Sequence, residues 1–446
     1  MKTAITRAVL LFAALCLLLT ACQSGGKDSG QQLAAHVGKD PNRPKLTLCV
    51  DLNPGFEASE SGPVFDFLKT VPGYLDDFSV ELDRIPCQGT ERDTALTRVK
   101  TELLSGAGPD LFICVSPNLL DVTLMEKHQN ATDALFQFPR SAMELGFFLP
   151  LDDYIAKAQY MEWDKLLPVV MDAGKSEKGQ LLLPLTYSIS ATLAERESRS
   201  LTASLPMTWD EMLVSEDPCV RFACYSWRFG SILGELGDYG TDSLTFTEEE
   251  LFARLEEARA ANLAGRPQEL GEANDVMPSI SIGASNAHLF TPKSPEYIMI
   301  PQYNTTGGVT ANINSFAAVN ANTRHPDEAF LIVDKLLDQE TMSNCEIYAY
   351  GSALPVNLEL CQKDAPYYAS YYEQNGKPRT EWYMNQWNYQ QTRELAGQVN
   401  AVNFVTPLNQ ELMLAYGDCL NEEDPEKRRE LTAEHYTAMK MMIAES

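Results

Sequence analysis

Apolar and polar positions change their spacing along the chain in a way that predicts strands and helices in alternation. Residues 45–51 (KLTLCVD) and 78–85 (FSVELDRI) have the β-rich pattern of strands. Residues 92–104 repeat their apolar side chains at helical spacing and end shortly before a glycine. Residues 108–117 (GPDLFICVSP) predict a buried strand. This alternation predicts an α/β fold in which helices cover parallel strands.

Polar residues follow two of the predicted strands. Asn53 and Glu57 come after the first strand, and Asn118 comes after the block 108–117. Because ligands bind beyond the carboxyl ends of parallel strands, these three residues are candidate ligand contacts. The alternative is that all three are ordinary polar residues of surface loops.

The remaining chain contains further strand and helix patterns. Residues 178–196 begin with a glycine turn and continue as a β-rich run that is too long for one ordinary strand. This length predicts a segment that crosses between two parts of the molecule. Residues 307–338 predict a strand, a loop and a helix. The tail is predicted to be helical over 382–404 and again over 425–444.

Two acidic stretches are explained by helix starts. Thr208 with Glu211, and Thr247 with Glu250, have the spacing of capping boxes. Acidic side chains are favourable in a first helical turn, so they need no catalytic role. The chain contains no GxSxG, HExxH or P-loop motif. The sequence therefore favours a protein that is not an enzyme.

The amino-terminal residues have the pattern of a secretory signal. Lys2 and Arg7 precede an apolar run over 8–19, which is shorter than the roughly 20 residues of a spanning helix. Cys22 after Leu-Thr-Ala resembles the lipobox of bacterial lipoproteins, in which the cysteine is lipidated. Residues 23–44 are rich in Gly, Ser and Gln and predict a flexible tether.

Composition limits the possible partners. The chain has 446 residues, with 35 Lys and Arg against 62 Asp and Glu, a net charge of −27. Such a charge does not suit nucleic acid. The five histidines and the cysteines lack metal-ligand spacing, so we expect no metal and no cofactor. Most thiols beyond the signal are expected to be free and buried, with Cys219 and Cys224 as the favoured pair if one forms.

Several segments, in their order along the chain, resemble the extracellular solute-binding proteins of ABC importers, in particular the large carbohydrate-binding family. The resemblance covers about residues 45 to 440. The matching segments are 108–110 (GPD), 149–153 (LPLDD), 179–184 (GQLLLP), 206–211 (PMTWDE), 320–338 (NANTRHPDEAFLIVDKLLD) and 351–355 (GSALP). The chain departs from the family where it has Ala-Glu-Arg at 194–196, since an aromatic pair and Asn are common there.

The resemblance implies a two-lobe periplasmic-binding-protein-like fold. Each lobe is a mostly parallel sheet flanked by helices, hinge strands join the lobes, and the ligand lies between them. The implied crossings are near 184–192, 299–304 and 336–343. Lobe one is expected to contain 45–185 and 303–338, and lobe two 188–300 and 342–446. The family implies a monomer that closes on its ligand, here a carbohydrate, and delivers it to membrane permease subunits.

Aromatic side chains are the natural walls of a sugar site, because sugars present flat apolar faces. The resemblance places a ligand-facing aromatic in EWYMNQWNY (381–389), which makes Trp382, Tyr383 and Trp387 candidates. Tyr187 on the crossing strand, Trp227 in CYSWRFG and Tyr303 at a predicted hinge are further candidates. For each aromatic residue the alternative is packing in the core.

Other functions remain open at this stage. The same fold can bind a peptide, a polyamine or another cation, which the net charge permits. An extracytoplasmic glycoside hydrolase needs two carboxylates facing each other across a sugar, and the acids here concentrate at helix starts. A surface adhesin or sensor subunit is a third alternative. Lipidation at Cys22 implies attachment to the extracytoplasmic face of a bacterial cell membrane.

The lipid anchor is testable in the native host. Cys22→Ala removes the thiol that carries the lipid, so the variant is expected to be released from the membrane or to remain unprocessed. Membrane fractionation and the mass of the mature chain measure this outcome. Normal processing with unchanged membrane attachment would contradict the lipobox interpretation.

Overall fold

The computed structural model describes most of the chain after the predicted tether. The described residues are 43–51, 62–86, 89–115, 134–224, 229–272, 274–282, 294–344, 354–357, 372–374, 377–379 and 385–446. Within these ranges, no helix is both long enough and apolar enough to cross a lipid bilayer.

Strands and helices alternate through much of the described chain, as the sequence predicts. The strands are β1 (Lys45–Asp51), β2 (Ser79–Ile85), β3 (Leu111–Val115), β4 (Lys175–Ser176), β5 (Gly179–Gln180), β6 (Leu182–Glu195), β7 (Gly237–Asp238), β8 (Ser243–Leu244), β9 (Val276–Ile282), β10 (Tyr297–Pro301), β11 (Val309–Val319), β12 (Leu354–Pro355), β13 (Tyr372–Gln374), β14 (Lys377–Arg379) and β15 (Val399–Phe404).

The α-helices pack around these strands. They are α1 (Gly62–Leu68), α2 (Gly89–Leu104), α3 (Pro139–Glu144), α4 (Asp152–Ile155), α5 (Pro168–Asp172), α6 (Trp209–Leu213), α7 (Pro218–Ala223), α8 (Phe229–Leu233), α9 (Glu248–Ala264), α10 (Pro326–Leu336), α11 (Gln339–Asn344), α12 (Gln386–Ala396), α13 (Pro407–Asn421) and α14 (Pro425–Ala444).

The main sheet mixes parallel and antiparallel pairs, and it confirms the α/β class. Its order is β10-β6-β11-β3-β1-β2, with β9 and β12 also on β6 and β15 on β11. The pairs β1–β2, β1–β3 and β11–β15 are parallel. The pairs that β6 makes are antiparallel.

Two long strands, β6 and β11, divide the sheet into two halves. Residues 182–186 of β6 pair with β11, whereas residues 189–195 pair with β9 and β10. In β11, residues 309–313 pair with β15 and residues 315–319 pair with β3. We call the β1–β2–β3 side the first half, the side of β9, β10 and β15 the second half, and residues 187–188 and 314 the crossover.

A buried ion pair joins β1 to the chain around it in the first half. Asp51, the last residue of β1, accepts two bonds from the Arg92 guanidinium of α2, at 2.7 and 3.2 Å. The backbone N–H of Leu135 donates to the same carboxylate at 2.8 Å. Asp51 and Arg92 are each 1% exposed. Because the segment after Leu135 leads directly into α3, this pair also fixes the start of that helix.

Both predicted capping boxes are present. Thr208 precedes α6 and exchanges hydrogen bonds with Glu211, and Thr247 does the same with Glu250 before α9. The helix predicted over 425–444 is α14. The helical prediction over 382–404 is wrong at its carboxyl end. Asn385 caps α12, so the helix begins at Gln386, and residues 399–404 are a strand that pairs with β11.

The thiols in the described ranges are buried, and Cys219 and Cys224 do not form the favoured disulfide. Cys49, Cys114, Cys219, Cys224 and Cys419 are free and buried. Cys219 lies in α7 and Cys224 follows its last residue. Burial raises the pKa of the Cys219 thiol to about 11 and that of Cys224 to about 12, so both thiols stay protonated and inert.

The Asp51–Arg92 pair is expected to be a major determinant of stability. Asp51→Asn removes the charge but keeps the shape, and it leaves a buried guanidinium without its partner. Chemical denaturation should show a loss of about 3–5 kcal/mol. Asp83→Asn breaks the more exposed pair that Arg98 makes at 2.7 Å, and it should cost about 1 kcal/mol or less. Equal losses in the two variants would contradict this ranking.

Candidate functional site

The carboxyl ends of strands from both halves converge at the crossover. A row of paired residues crosses the sheet from β1 to β6. Asp51 of β1 pairs with Cys114 of β3, which pairs with Phe316 of β11, which in turn pairs with Pro184 of β6. The parallel strands β1 and β3 therefore end beside the crossover. From the second half, β15 ends there too, because its last residue, Phe404, pairs with Ile313. Ligands of α/β sheets bind at such strand ends, so the crossover is the candidate site.

Amide and hydroxyl side chains are concentrated around the crossover. The hydroxyls of Thr186 and Ser315 are hydrogen-bonded across β6 and β11 at 2.6 Å. The Nδ2 of Asn403 donates to Oδ1 of Asn312 at 3.1 Å. These groups are neutral, and each can both donate and accept hydrogen bonds.

Helix α8 reaches these amides at a glycine. A Cβ atom on Gly230 would lie 2.6 Å from Nδ2 of Asn409 and 3.1 Å from Nδ2 of Asn403, so glycine allows the close approach. Two polar atoms of the same region, Oγ of Ser231 and Oδ1 of Asn314, are buried without a hydrogen-bond partner among the described residues. Since buried polar atoms nearly always have partners, these two are suited to bind water or ligand.

Aromatic rings form the apolar part of the site. The rings of Phe316 and Phe404 meet edge to face, with centroids 6.0 Å apart. Phe136 lies 6.3 Å from Phe316 and 5.0 Å from Phe148. These rings connect α3 and the sheet of the first half to the end of β15, so packing is continuous across the crossover.

The carboxylates near the site are neutralised by arginines. Asp51 is paired with Arg92 in the first half. Glu235 pairs with the guanidinium of Arg140 on α3, which also lies 5.9 Å from the Phe404 ring centroid. Burial raises the pKa of Glu235, and the Arg140 charge opposes that shift. Among the described residues of this region, no carboxylate cluster faces the crossover without a cation.

A narrow pocket lies where α3 meets the second half. Its volume has room for about one water molecule, so it does not hold a sugar ring in this arrangement. Its lining residues are Pro139, Arg140, Glu235, Leu236, Tyr239, Asn403, Phe404 and Thr406. The pocket therefore marks a contact between the halves.

Solved structures of binding proteins share this architecture. An extracellular solute-binding protein family 1 member from Alicyclobacillus acidocaldarius is 13% identical and has a TM-score of 0.55, over 91% of this chain and 100% of its own. A sugar-binding protein from Xanthomonas citri is 13% identical with a TM-score of 0.55, over 90% and 98%. The chain has the fold of an extracellular solute-binding protein.

A third structure with this fold is the cyclic alpha-maltosyl-1,6-maltose binding protein from Arthrobacter globiformis. It is 12% identical, with a TM-score of 0.52 over 89% of this chain and 99% of its own. No protein-family model matches the chain, and no curated protein is similar to it in sequence. The similarity is therefore one of fold.

Two of the predicted site residues lie near the crossover of this solute-binding fold. Tyr187 is at the crossover itself, pairs with Leu354 of β12 and is 2% exposed. Tyr303 is fully buried, and its hydroxyl donates to Oε1 of Gln398 at 2.9 Å. Both side chains therefore contribute packing close to the site, and contact with ligand stays a prediction for each.

Trp387 lies at the far end of the second half. Its indole N–H donates to the carbonyl of Tyr297 at 2.9 Å, and the Arg196 guanidinium lies 3.7 Å from the ring centroid. Tyr297 pairs with Glu195, eight residues beyond Tyr187 along β6, a distance of about 26 Å. The structure does not bring Trp387 and Tyr187 together, and one face of Trp387 is already covered.

The remaining predicted residues lie outside the described ranges. They are Asn53, Glu57, Asn118, Trp227, Trp382 and Tyr383, together with the lipidation residue Cys22. Asn53 and Glu57 follow β1, and Asn118 follows β3, both of which end at the crossover. These candidates therefore stay predictions.

Sequence reasoning missed the residues that the fold itself brings to the site. Arg140, Glu235, Asn312, Asn403 and Phe404 come from distant parts of the chain. One local signal was present, because Thr406, Pro407 and Asn409 have the pattern of a helix start after the apolar end of β15. This pattern predicts where β15 ends, but it does not predict which strands lie beside β15.

The arrangement is suited to binding neutral polar groups. Across the described ranges, no group of three or more His, Cys, Asp or Glu residues is arranged to bind a metal ion. Amides and hydroxyls at strand ends can form several hydrogen bonds at once, and the adjacent rings can cover an apolar face.

Trp387 is expected to support folding. Trp387→Ala removes both the indole hydrogen bond and the Arg196 stack, and it should lower stability by about 3 kcal/mol in thermal melts. Trp387→Phe keeps a ring under Arg196 and loses only the N–H, so about 1 kcal/mol is expected. Near-native melting of Trp387→Ala would contradict a packing role and return this residue to the ligand candidates.

Proposed function

We propose that this chain is the extracytoplasmic solute-binding subunit of an ABC importer, which captures a carbohydrate between two lobes and delivers it to permease subunits. The observation that carries the proposal is the chemistry at the crossover. Strand ends of both halves meet there among amides, hydroxyls and phenylalanine rings, and the nearby carboxylates are paired with arginine.

This chemistry fits a sugar better than a cation. A sugar presents hydroxyls that donate and accept, together with flat apolar ring faces, and Asn312, Asn403 and Phe404 match both features. A polyamine or cationic peptide is bound best by carboxylates without partners. Asp51 and Glu235 already have arginine partners, so these two carboxylates are not available to bind a cationic ligand.

The strand pairing supports a refined division into lobes. Residues 309–313 of β11 pair with β15, which belongs to the second half. We therefore place the second crossing at residue 314, some way beyond the segment 299–304 that the family resemblance implies. The first crossing lies at 187–188 in β6, within the implied segment. Motion of the two halves about these two points would open and close the site.

The same observations favour binding over catalysis. Glycoside hydrolysis needs a protonated acid and a second carboxylate on opposite sides of the scissile bond. At the described strand ends, Asp51 is fully buried against Arg92, and Glu235 is held by Arg140. Neither carboxylate is free to act on a sugar.

The remaining parts of the proposal come from the sequence. A lipid on Cys22 and the tether 23–44 would hold a monomer beside its permease on the outer face of the membrane. Asn53, Glu57, Asn118 and Trp227 are proposed to complete the ligand site at the crossover, whereas Trp382 and Tyr383, which precede Asn385 by two or three residues, stay predictions from the family resemblance. The first three follow strands that end at the crossover, which supports their assignment.

A thermal-shift screen tests the ligand class. The panel contains mono- and oligosaccharides, polyamines and short peptides. A ligand at about 100 times its dissociation constant stabilises the folded state by about 2.7 kcal/mol, and we expect this from a carbohydrate. Stabilisation by polyamines or peptides without any response to sugars would contradict the proposal.

A matched pair of variants then tests the site. Asn403→Ala removes a central amide and should weaken binding of the sugar that the screen identifies by about tenfold. Asn421→Ala removes an exposed amide at the carboxyl end of α13, about 20 Å along that helix from the end of β15, and should leave binding unchanged. Titration calorimetry measures both affinities, and equal affinities would exclude Asn403 from the ligand site.

A further inference from the structure

An ion pair connects α3 to the second half. Arg140 lies on α3, whose start is fixed to β1 through Leu135 and Asp51. Its guanidinium pairs with Glu235, which lies in the short link between α8 and β7. The two side chains are 26% and 33% exposed, so the pair is partly shielded from water. Asp238 on β7 adds a second negative charge near Arg140.

Apolar contacts surround the same pair. The rings of Phe138 and Tyr239 lie 5.8 Å apart, one from each half. On its other side, Arg140 lies 5.9 Å from the Phe404 ring centroid. A charge pair that is flanked by rings is screened less by water than an exposed pair, and it therefore holds its two partners more strongly.

We propose that the Arg140–Glu235 ion pair is a latch that holds the two halves together in the closed state and breaks when the site opens. The inference rests on the two-lobe motion of the proposed function, and it does not depend on the ligand being a carbohydrate. Opening about the crossover separates α3 from β7 and exposes both charges to water. The ion pair therefore stabilises the closed state even when no ligand is bound.

The latch also sets how tightly a ligand binds. A ligand that binds the closed state has an apparent affinity that scales with the closed fraction. Loss of the ion pair raises the open fraction, so it weakens binding through the population of the closed state. Because Arg140 and Glu235 line the same pocket as Asn403 and Phe404, the effect on closure is measured without ligand.

The test measures distance across the latch in the ligand-free protein. Nitroxide labels are attached to the full chain through azide-bearing residues at Leu145 and Ser243, both exposed and on either side of the pair. Double electron–electron resonance then reports the short and long distances. Glu235→Gln is expected to raise the ratio of long to short distances by about fivefold or more. An unchanged distribution would overturn the latch.

Two further variants separate charge from packing. The double variant Arg140→Glu with Glu235→Arg restores an ion pair of opposite direction. Because the new carboxylate at position 140 lies near Asp238, the double variant is expected to recover part of the short distance that Arg140→Glu alone loses. Failure to recover would overturn an electrostatic latch. Asp83→Asn breaks the Arg98 pair inside the first half and should leave the distances unchanged. A shift of the same size in this control would also overturn the proposal.

The distance assay and the ligand screen fail independently. If no carbohydrate stabilises the chain but Glu235→Gln lengthens the distance, the ligand class is wrong and the latch stands. If a sugar binds and the distances are the same in all variants, the binding function stands and the latch is wrong.

Discussion

The structure depends on two long strands that each belong to two halves. β6 is buried along nearly its whole length, and every backbone group it carries has to find a partner away from water. It does so with β11 and β12 near its start and with β9 and β10 near its end. β11 changes partners in the same way, from β15 to β3. The halves are therefore tied together by continuous backbone, and the change of partner leaves a narrow region where few ladder bonds resist bending.

That same region carries the polar groups of the site. Burying amides and hydroxyls is unfavourable unless they are hydrogen-bonded, so a core built only for stability would avoid them. Thr186 and Ser315 bond each other, and Asn312 bonds Asn403, which offsets most of this cost. Ser231 and Asn314 each keep a buried atom without a partner in the described structure. Buried polar atoms without partners are expected at binding sites, and here they lie where the strand ends converge.

The sequence predicts elements well where the determining contacts are local. The strand β1, the capping boxes at Thr208 and Thr247, and helix α14 follow from short patterns. Residues 399–404 are predicted as helix from the local sequence, and pairing with the distant β11 makes them a strand.

The site was less predictable because it is built by non-local contacts. Trp387 is a ligand candidate because the family resemblance puts a ligand-facing aromatic residue in the aromatic-rich segment 381–389. Which end of β6 it packs against depends on β10, some ninety residues earlier. The same reason hides the Arg140–Glu235 pair, since nothing in either local sequence indicates the other residue.

The charge of the chain and the charge of its site have separate origins. A net charge of −27 favours cationic ligands on average. At the crossover, however, buried Asp51 and partly buried Glu235 are each neutralised by an arginine from a different element. Both arginines have another task, because Arg92 fixes the end of β1 and Arg140 joins α3 to the second half. A positive ligand would have to compete with contacts that hold the strand ends and the two halves in place. A neutral ligand needs no such competition, so under the proposed function the arginine pairing at the crossover disfavours the cationic ligands that the overall charge would attract.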